Sequence, residues 1–370
     1  ALLWWLLPGW RARSAQVLRP AGDSVAPALA PNAAPRRAIA VLGFANATGR
    51  PEAQWLSSAL SEKLTSELAA SDSLRAVPGE VVAQARQDLQ LELSSSLGAE
   101  TLQRLRRILG ADLVLLGSFT AQGGAEAPLR VDLRLQATDG SYTRPFSIEG
   151  SEPKIFALVR QGGLNLRREL GISDLAGATS PAADFAHPAS PEAVRLYAGG
   201  LEALRSFEPG RARDLLERAI ATDPEFPLAR AALAAAWFDL GYDDQALVAA
   251  SEARKRSGKL SRSDQLMVEG LERRLSRDWP RAIEVARTLW RFYPDDLEQG
   301  LRLAQVELEA GESTAALVTV AELQRLPPPA GEDPRIDLVE ARAAAALSDF
   351  HRQLAEIGRA SCRERASNYV

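Results

Sequence analysis

The chain holds one cysteine, one methionine and two histidines in 370 residues. That scarcity excludes a disulfide framework, a Cys-rich zinc site and a His-rich metal cage. Positive charge is not in excess either: 44 Lys and Arg stand against 48 Asp and Glu. A surface dedicated to neutralising nucleic-acid phosphates is therefore not expected in this segment. No glycine-rich phosphate loop of the Walker or dinucleotide type occurs, and Gly123-Gly124 reads as a hairpin turn between strands. His187 falls in a Pro- and Ala-rich stretch and His351 follows Phe350, neither beside a serine on a strained turn, so no catalytic triad is in view. Asp243-Asp244 and Asp295-Asp296 stand at expected helix starts, where carboxylates satisfy free amides and the helix dipole. The chain is read as having no catalytic residue, no metal site, no cofactor and no small-molecule substrate.

What is present falls into blocks. Residues 1–10, ALLWWLLPGW, carry Trp4, Trp5 and Trp10. Ten apolar residues cannot cross a core that needs about 20, but interfacial Trp is common at the end of a spanning helix. Residues 1–10 are read as a transmembrane-helix remnant, with a signal-peptide end or a buried helix terminus as alternatives. Arg11 and Arg13 are a basic flank, which favours the cytoplasmic side. Residues 11–37, with Pro20, Pro27, Pro31 and Pro35 and no apolar period, read as a disordered linker. A second linker is expected at 173–190.

Between the linkers, AIAVLGF from Ala38 has the continuous apolar run of a strand covered on both faces. Leu56, Leu60, Leu64 and Leu68 then recur every fourth residue, one apolar stripe of a helix. A short strand at 74–77, helices at 80–91 and 99–109, and a central strand at 113–116 follow. RVDLRLQA alternates strictly, with Val131, Leu133 and Leu135 on one face and Arg130, Asp132 and Arg134 on the other, a half-solvated antiparallel strand. Asp139-Gly140 marks a tight turn to a strand at Phe146 and Ile148, and a helix bearing Phe156, Val159, Gly163, Leu166 and Leu170 closes the unit. The expected order is βαβααβββα, an α/β domain of three-layer type.

Phe44, Asn46, Thr48, Gly49 and Pro51, then Leu109, Gly110, Gly117 and Ser118, then VDLRLQATDG, fall on three motif blocks in order. In these blocks residues 38–172 resemble the TolB amino-terminal-like domain of bacterial receptor proteins. The resemblance lapses at RPFSIEG, which replaces the family's Trp- and acid-bearing strand. It implies a non-catalytic scaffolding or sensing module. Asn46-Ala47-Thr48 fits a glycosylation sequon, but a side-chain turn hydrogen bond is the expected use.

From residue 191 to 355 the chain is helical and periodic. Ala212, Ala246 and Ala282 are 34 and 36 residues apart, and Gly200, Ala234, Gly270, Ala304 and Ala341 repeat in the same phase. This is the tetratricopeptide (TPR) period. Small residues at the eighth and twentieth places let two helices approach closely, and Gly200, Ala212, Ala219, Ala234, Ala246, Ala253, Gly270 and Ala282 are the expected repeat-packing positions. Pro224, Pro294 and Pro328 end three units, Gly241 and Gly311 fall at interhelix turns, and Trp237 holds the eleventh-place aromatic position. Four repeats and part of a fifth are expected, forming an all-α superhelix. Gly258 stands where the second repeat would carry Pro, so that turn is expected to be looser.

The TPR resemblance implies a concave peptide groove, whose positions fall on Tyr197, Leu201, Phe238, Met267 and Arg274. The competing view is that these side chains only pack repeat against repeat. The whole arrangement resembles the carboxyl-terminal half of bacterial one-pass signalling proteins, whose amino-terminal output domain is a serine/threonine kinase or a winged-helix DNA-binding domain. ALSEKLTSELAA…LRAVPGE most resembles the kinase-linked versions. The resemblance implies a membrane anchor through an N-terminal helix, an extracytoplasmic (periplasmic) soluble part, and a protein or peptide partner. A stand-alone envelope scaffold is the rival reading. Finally, EIGRASCRER, with the single Cys362, resembles a translated sequencing-adaptor tail, so residues 356–370 are expected to be artefactual.

Overall fold

The computed structural model of the chain describes residues 36–69, 73–93, 96–121, 128–151, 155–172 and 190–369. They fall into two compact units, Arg36–Leu275 and Ser276–Ala366. The transmembrane remnant expected at 1–10, nearly all of both linkers, His187 and Gly123-Gly124 lie outside the described residues.

The first unit opens with a mixed sheet: β1 (Arg37–Asn46), α1 (Trp55–Ala69), β2 (Leu74–Ala76), α2 (Gly79–Asp88), α3 (Ala99–Leu109), β3 (Leu113–Ala121), β4 (Pro128–Ala137), β5 (Thr143–Ser151) and α4 (Ile155–Glu169). The order is the one expected. In space the strands run β2-β1-β3-β4-β5, with β1 parallel to β2 and β3 and the remaining pairs antiparallel. The continuous apolar runs of β1 and β3 are divided between two cores. Ile39, Val41, Leu113 and Leu115 pack with Leu56, Leu60, Leu64 and Leu68 of α1 and Val159 and Leu166 of α4. Ala40, Leu42, Val114 and Leu116 pack with Val82 of α2 and Leu102 and Leu105 of α3 on the opposite face. Fully burying each α1 leucine contributes about 1.5–3 kcal/mol. On β4 only one face joins the first core, through Val131, Leu133 and Leu135.

The motif positions have mechanical reasons. Asn46 Oδ1 accepts from Thr48 N–H at 3.0 Å and from its hydroxyl at 2.6 Å, while Asn46 Nδ2 donates to the Arg50 carbonyl at 2.8 Å. The side chain is spent on closing its own turn. At Gly117, a Cβ would collide with the Asp132 carbonyl of β4, so the close β3–β4 approach requires glycine. Gly110 ends α3 in the left-handed conformation, φ +57°.

Ten helices follow among the described residues: α5 (Pro191–Arg205), α6 (Pro209–Thr222), α7 (Pro227–Asp239), α8 (Asp243–Lys255) and α9 (Arg262–Leu275) in the first unit. The second holds α10 (Trp279–Phe292), α11 (Leu297–Glu309), α12 (Ser313–Leu323), α13 (Pro334–Ala346) and α14 (Phe350–Tyr369). A left-handed residue stands at the same phase of all five units: Phe207, Gly241, Arg277, Gly311 and Ser348, spaced 34, 36, 34 and 37 residues apart. This backbone period, with a helix on either side of each turn, makes the C-terminal half TPR-like.

Helix α14 continues through the adaptor-like residues, with Arg363 paired to Asp337 at 3.0 Å. Among the described residues, no helix is long and apolar enough to cross a membrane.

Candidate functional site

The small residues come first because they decide what surface is left over. Gly200 and Gly270 are buried, Ala212, Ala219, Ala234, Ala246 and Ala253 are 0% exposed, and Ala282 is 1% exposed. A Cβ on Gly200 would sit 2.6 Å from Leu216 Cγ of α6, so α5 and α6 touch where the side chain is missing. Gly300, absent from the expected set, has the same role: a Cβ there would collide with Leu323 and lie 2.9 Å from the Trp290 ring. Its sequence signal was faint because it falls at the fourth place of its repeat rather than the eighth or twentieth.

The five residues expected to line a groove do not form one open strip. Leu201 is buried and Tyr197 packs edge-on to Phe226 at 4.8 Å. Burial, reinforced by nearby Glu62 and Glu80, pushes the Tyr197 phenol far above its usual range. The structure corrects the open-groove expectation at these two positions: Leu201 is buried and Tyr197 packs repeat against repeat, with Phe226, Leu215 and Leu228, while α1 and the start of α2 meet other residues of α5. Val194 and Ala198 of α5 belong to the same apolar cluster as the α1 leucines. The Arg205 guanidinium pairs with Glu62 of α1 and, at 3.3 Å, with Glu80 of α2. Burial alone would lower its pKa, but the two carboxylates overcome that and hold it above its ordinary range.

Phe238, Met267 and Arg274 are placed differently. Phe238 and Met267 are half-buried, and the Arg274 guanidinium, itself buried, stacks over the Phe238 ring at 5.7 Å. Beside them, Asp239 is half-buried, and burial pushes its carboxyl up to about 6 against the opposing pull of Arg274. Met267 lies two turns before Arg274 on α9. The sequence did not single out Asp239. Its signal was the thirteenth place of its repeat, next to a groove aromatic.

A cleft of about 480 Å³ opens on another face, lined by Ile220 of α6, Arg230, Leu233 and Trp237 of α7, and Val248 and Ala249 of α8. Trp237, expected only as a packing aromatic, forms its wall, with the Arg213 guanidinium 5.4 Å over its ring and Tyr242 edge-on at 5.3 Å.

The remaining candidates resolve into structural roles. Asp296 caps α11 by accepting from Glu298 N–H at 3.0 Å, and Asp243 and Asp244 lie in the first turn of α8. His351 and Cys362 are exposed on α14. In the second unit, the carboxylates of Asp337, Glu340 and Glu356 lie within 4.8 Å of one another. Each carries an arginine, Arg363, Arg352 and Arg359 respectively, so the cluster is a neutralised ion-pair network rather than an open cation site.

No protein-family model matches the chain, and no curated protein matches it in sequence. Solved structures do. A thermophilic TPR protein of Thermus thermophilus is 20% identical, with 45% of this chain and 89% of that one covered and a TM-score of 0.37. YrrB, described as a TPR protein with an unusual peptide-binding site, is 14% identical over 47% of this chain and 87% of its own, with a TM-score of 0.33. A tetratricopeptide repeat protein of Parabacteroides merdae is 11% identical over 57% and 79%, with a TM-score of 0.37. These are likenesses of fold, and the repeat assignment rests on the backbone phase described above.

Proposed function

We propose that the helical half is a protein-interaction surface and that the chain is the non-catalytic sensing region of a bacterial one-pass signalling protein, the carboxyl-terminal part of a TPR-containing serine/threonine kinase. The observation that carries the interaction reading is the grouping of half-buried Phe238 and Asp239 with the buried Arg274, and of half-buried Met267 two turns before Arg274 on α9. It combines an aromatic ring, a thioether and both signs of charge on side chains that the small-residue packing does not consume. Such a mixture suits a peptide with apolar and polar contacts better than it suits bond making, which needs a positioned nucleophile and base.

The kinase context is supported by the resemblance of ALSEKLTSELAA…LRAVPGE, the sensing role by the TolB-like loop at Phe44–Pro51, and a membrane anchor by Trp4, Trp5 and Trp10. The winged-helix and envelope-scaffold alternatives share the same interaction surface, and the upstream reading frame separates all three. Residues 356–370 keep their adaptor-like sequence and receive no role.

The interaction reading is tested by panning an immobilised random heptapeptide library against the chain and against a Phe238→Ala/Arg274→Gln double variant. Sequence-selective enrichment by the parent, at least tenfold weaker with the variant at matched helicity, is the expected result. Equal enrichment by both moves the site elsewhere, and no enrichment by the parent refutes peptide recognition.

A further inference from the structure

The inner face of α5 is already occupied, and its occupant belongs to the same chain. Arg205, at the C-terminal end of α5, reaches between two carboxylates from separate helices of the sheet domain, Glu62 and Glu80. The contact is built around that one side chain. A Cβ on Gly79 would lie 2.9 Å from both Arg205 Nη2 and Glu62 Oε1, so the glycine makes room for the guanidinium. One turn from Glu62, the Ser58 hydroxyl donates to Glu202 at 3.3 Å. Lys63, paired with Glu67 at 3.3 Å, also feels the charge of Asp264 on α9. The apolar part is small, Val194 and Ala198 meeting the cluster under α1.

The contact thus mixes apolar side chains with charge pairs, and interfaces between domains of one chain are generally more polar than obligate ones and able to open. The covalent connection permits this: a fully extended chain the length of residues 173–189 spans at most about 60 Å. Removing the arginine leaves two half-buried carboxylates without the cation between them, the unfavourable way to break a pair shielded from solvent.

We propose that Arg205 is the latch of an intrachain interface in which the sheet domain, through α1 and α2, is the resident occupant of the first repeat's inner face. Val194 and Ala198 are covered while the latch is closed and become available to a partner only when it opens. The consequence for ligand binding rests on the interaction reading above. The latch itself does not, and its test contains no ligand, so either can fail alone.

The test uses the full chain with Cys362→Ser and a single new thiol, labelled by 5,5′-dithiobis(2-nitrobenzoate) under native conditions. Ala198→Cys, 2% exposed, reports opening of the interface, and Ala40→Cys, 0% exposed on the far face of the sheet, reports unfolding of the sheet domain. The expected result is slow labelling at 198, accelerated tenfold or more by Arg205→Gln and less by Arg205→Lys, with the rate at position 40 unchanged. Three results overturn the proposal: an Ala198→Cys rate indifferent to Arg205→Gln, acceleration at both thiols together, or a 198 thiol that labels at the rate of an exposed one with Arg205 intact.

Discussion

Gly200→Ala separates packing from helix propensity, because the two act in opposite directions at this residue. In an exposed helix interior the substitution would stabilise by about 1 kcal/mol, since glycine forfeits more backbone entropy than alanine. At position 200 the new Cβ would sit 2.6 Å from Leu216 Cγ and 2.7 Å from Cδ2. Cγ is the branch point of a fully buried leucine, so relief requires moving the side chain or spreading α5 from α6. Overpacking of this kind costs about 1–3 kcal/mol. The net expectation is a loss of roughly 0–2 kcal/mol where propensity alone demands a gain. Gly210 is the control: it lies in α6, and a Cβ there meets nothing within 4 Å, so Gly210→Ala should be neutral or stabilising by a few tenths of a kcal/mol. Urea denaturation of both variants, followed by circular dichroism, gives the comparison. A Gly200→Ala variant more stable than Gly210→Ala would refute the claim that missing side chains let these helices nest.

Asp239 supplies a pH prediction. Its carboxyl is pushed up by burial, to about 6 in the folded chain against an ordinary value near 4, so the folded state holds the proton more tightly and stability falls as pH rises from about 4 to 6. Asp239→Asn should remove that fall and raise stability at pH 7.5 by about 1–2 kcal/mol, after allowance for its partial exposure, as read from thermal melts across the range. Phe207 is 65% exposed with φ +57°, at the turn where two other repeats carry glycine. Phe207→Gly should stabilise by about 1 kcal/mol in the same denaturation assay, and a loss would mean that the ring has a contact role.

How far the sequence could be read depended on whether the relevant physics was local. The order of the sheet domain was legible because the alternation of RVDLRLQA and the four-residue leucine spacing of α1 each reflect the element that carries them. The repeat phase was legible from alanines and glycines because steric exclusion leaves few residue types at such places. The turns were half legible. Gly241 and Gly311 announced the left-handed conformation, whereas Phe207, Arg277 and Ser348 adopt it with no signature. The covering of Val194 and Ala198 by α1 was not legible at all. Glu62, Glu80 and Arg205 are far apart in sequence, and each reads as an ordinary charge on a solvated helix face until the fold brings the three together.

The small-residue rule also accounts for where the helical half departs from regularity. Ala212, Ala246, Ala282 and Ala316 hold the twentieth place of the first four repeats and are 0–1% exposed. In the fifth repeat that place is Gln353, half-buried, and the neighbouring Phe350 and Leu354 are 63% and 70% exposed. Along α14, Ala360 is buried while Phe350, Leu354 and Ile357 stay exposed. Helices α13 and α14 are linked by side-chain ion pairs, Arg352 to Glu340 and Arg363 to Asp337 at 3.0 Å. The small residues of the first four repeats thus go with close packing, whereas α14 is tied by arginines to the buried carboxylates of Asp337 and Glu340, pairs that are costly to break by removing one partner. The inner face of α5 follows the same logic from the other side. Gly200 lets α6 pack closely against α5, while α5 meets the sheet domain through Val194 and Ala198 together with one arginine between two acids.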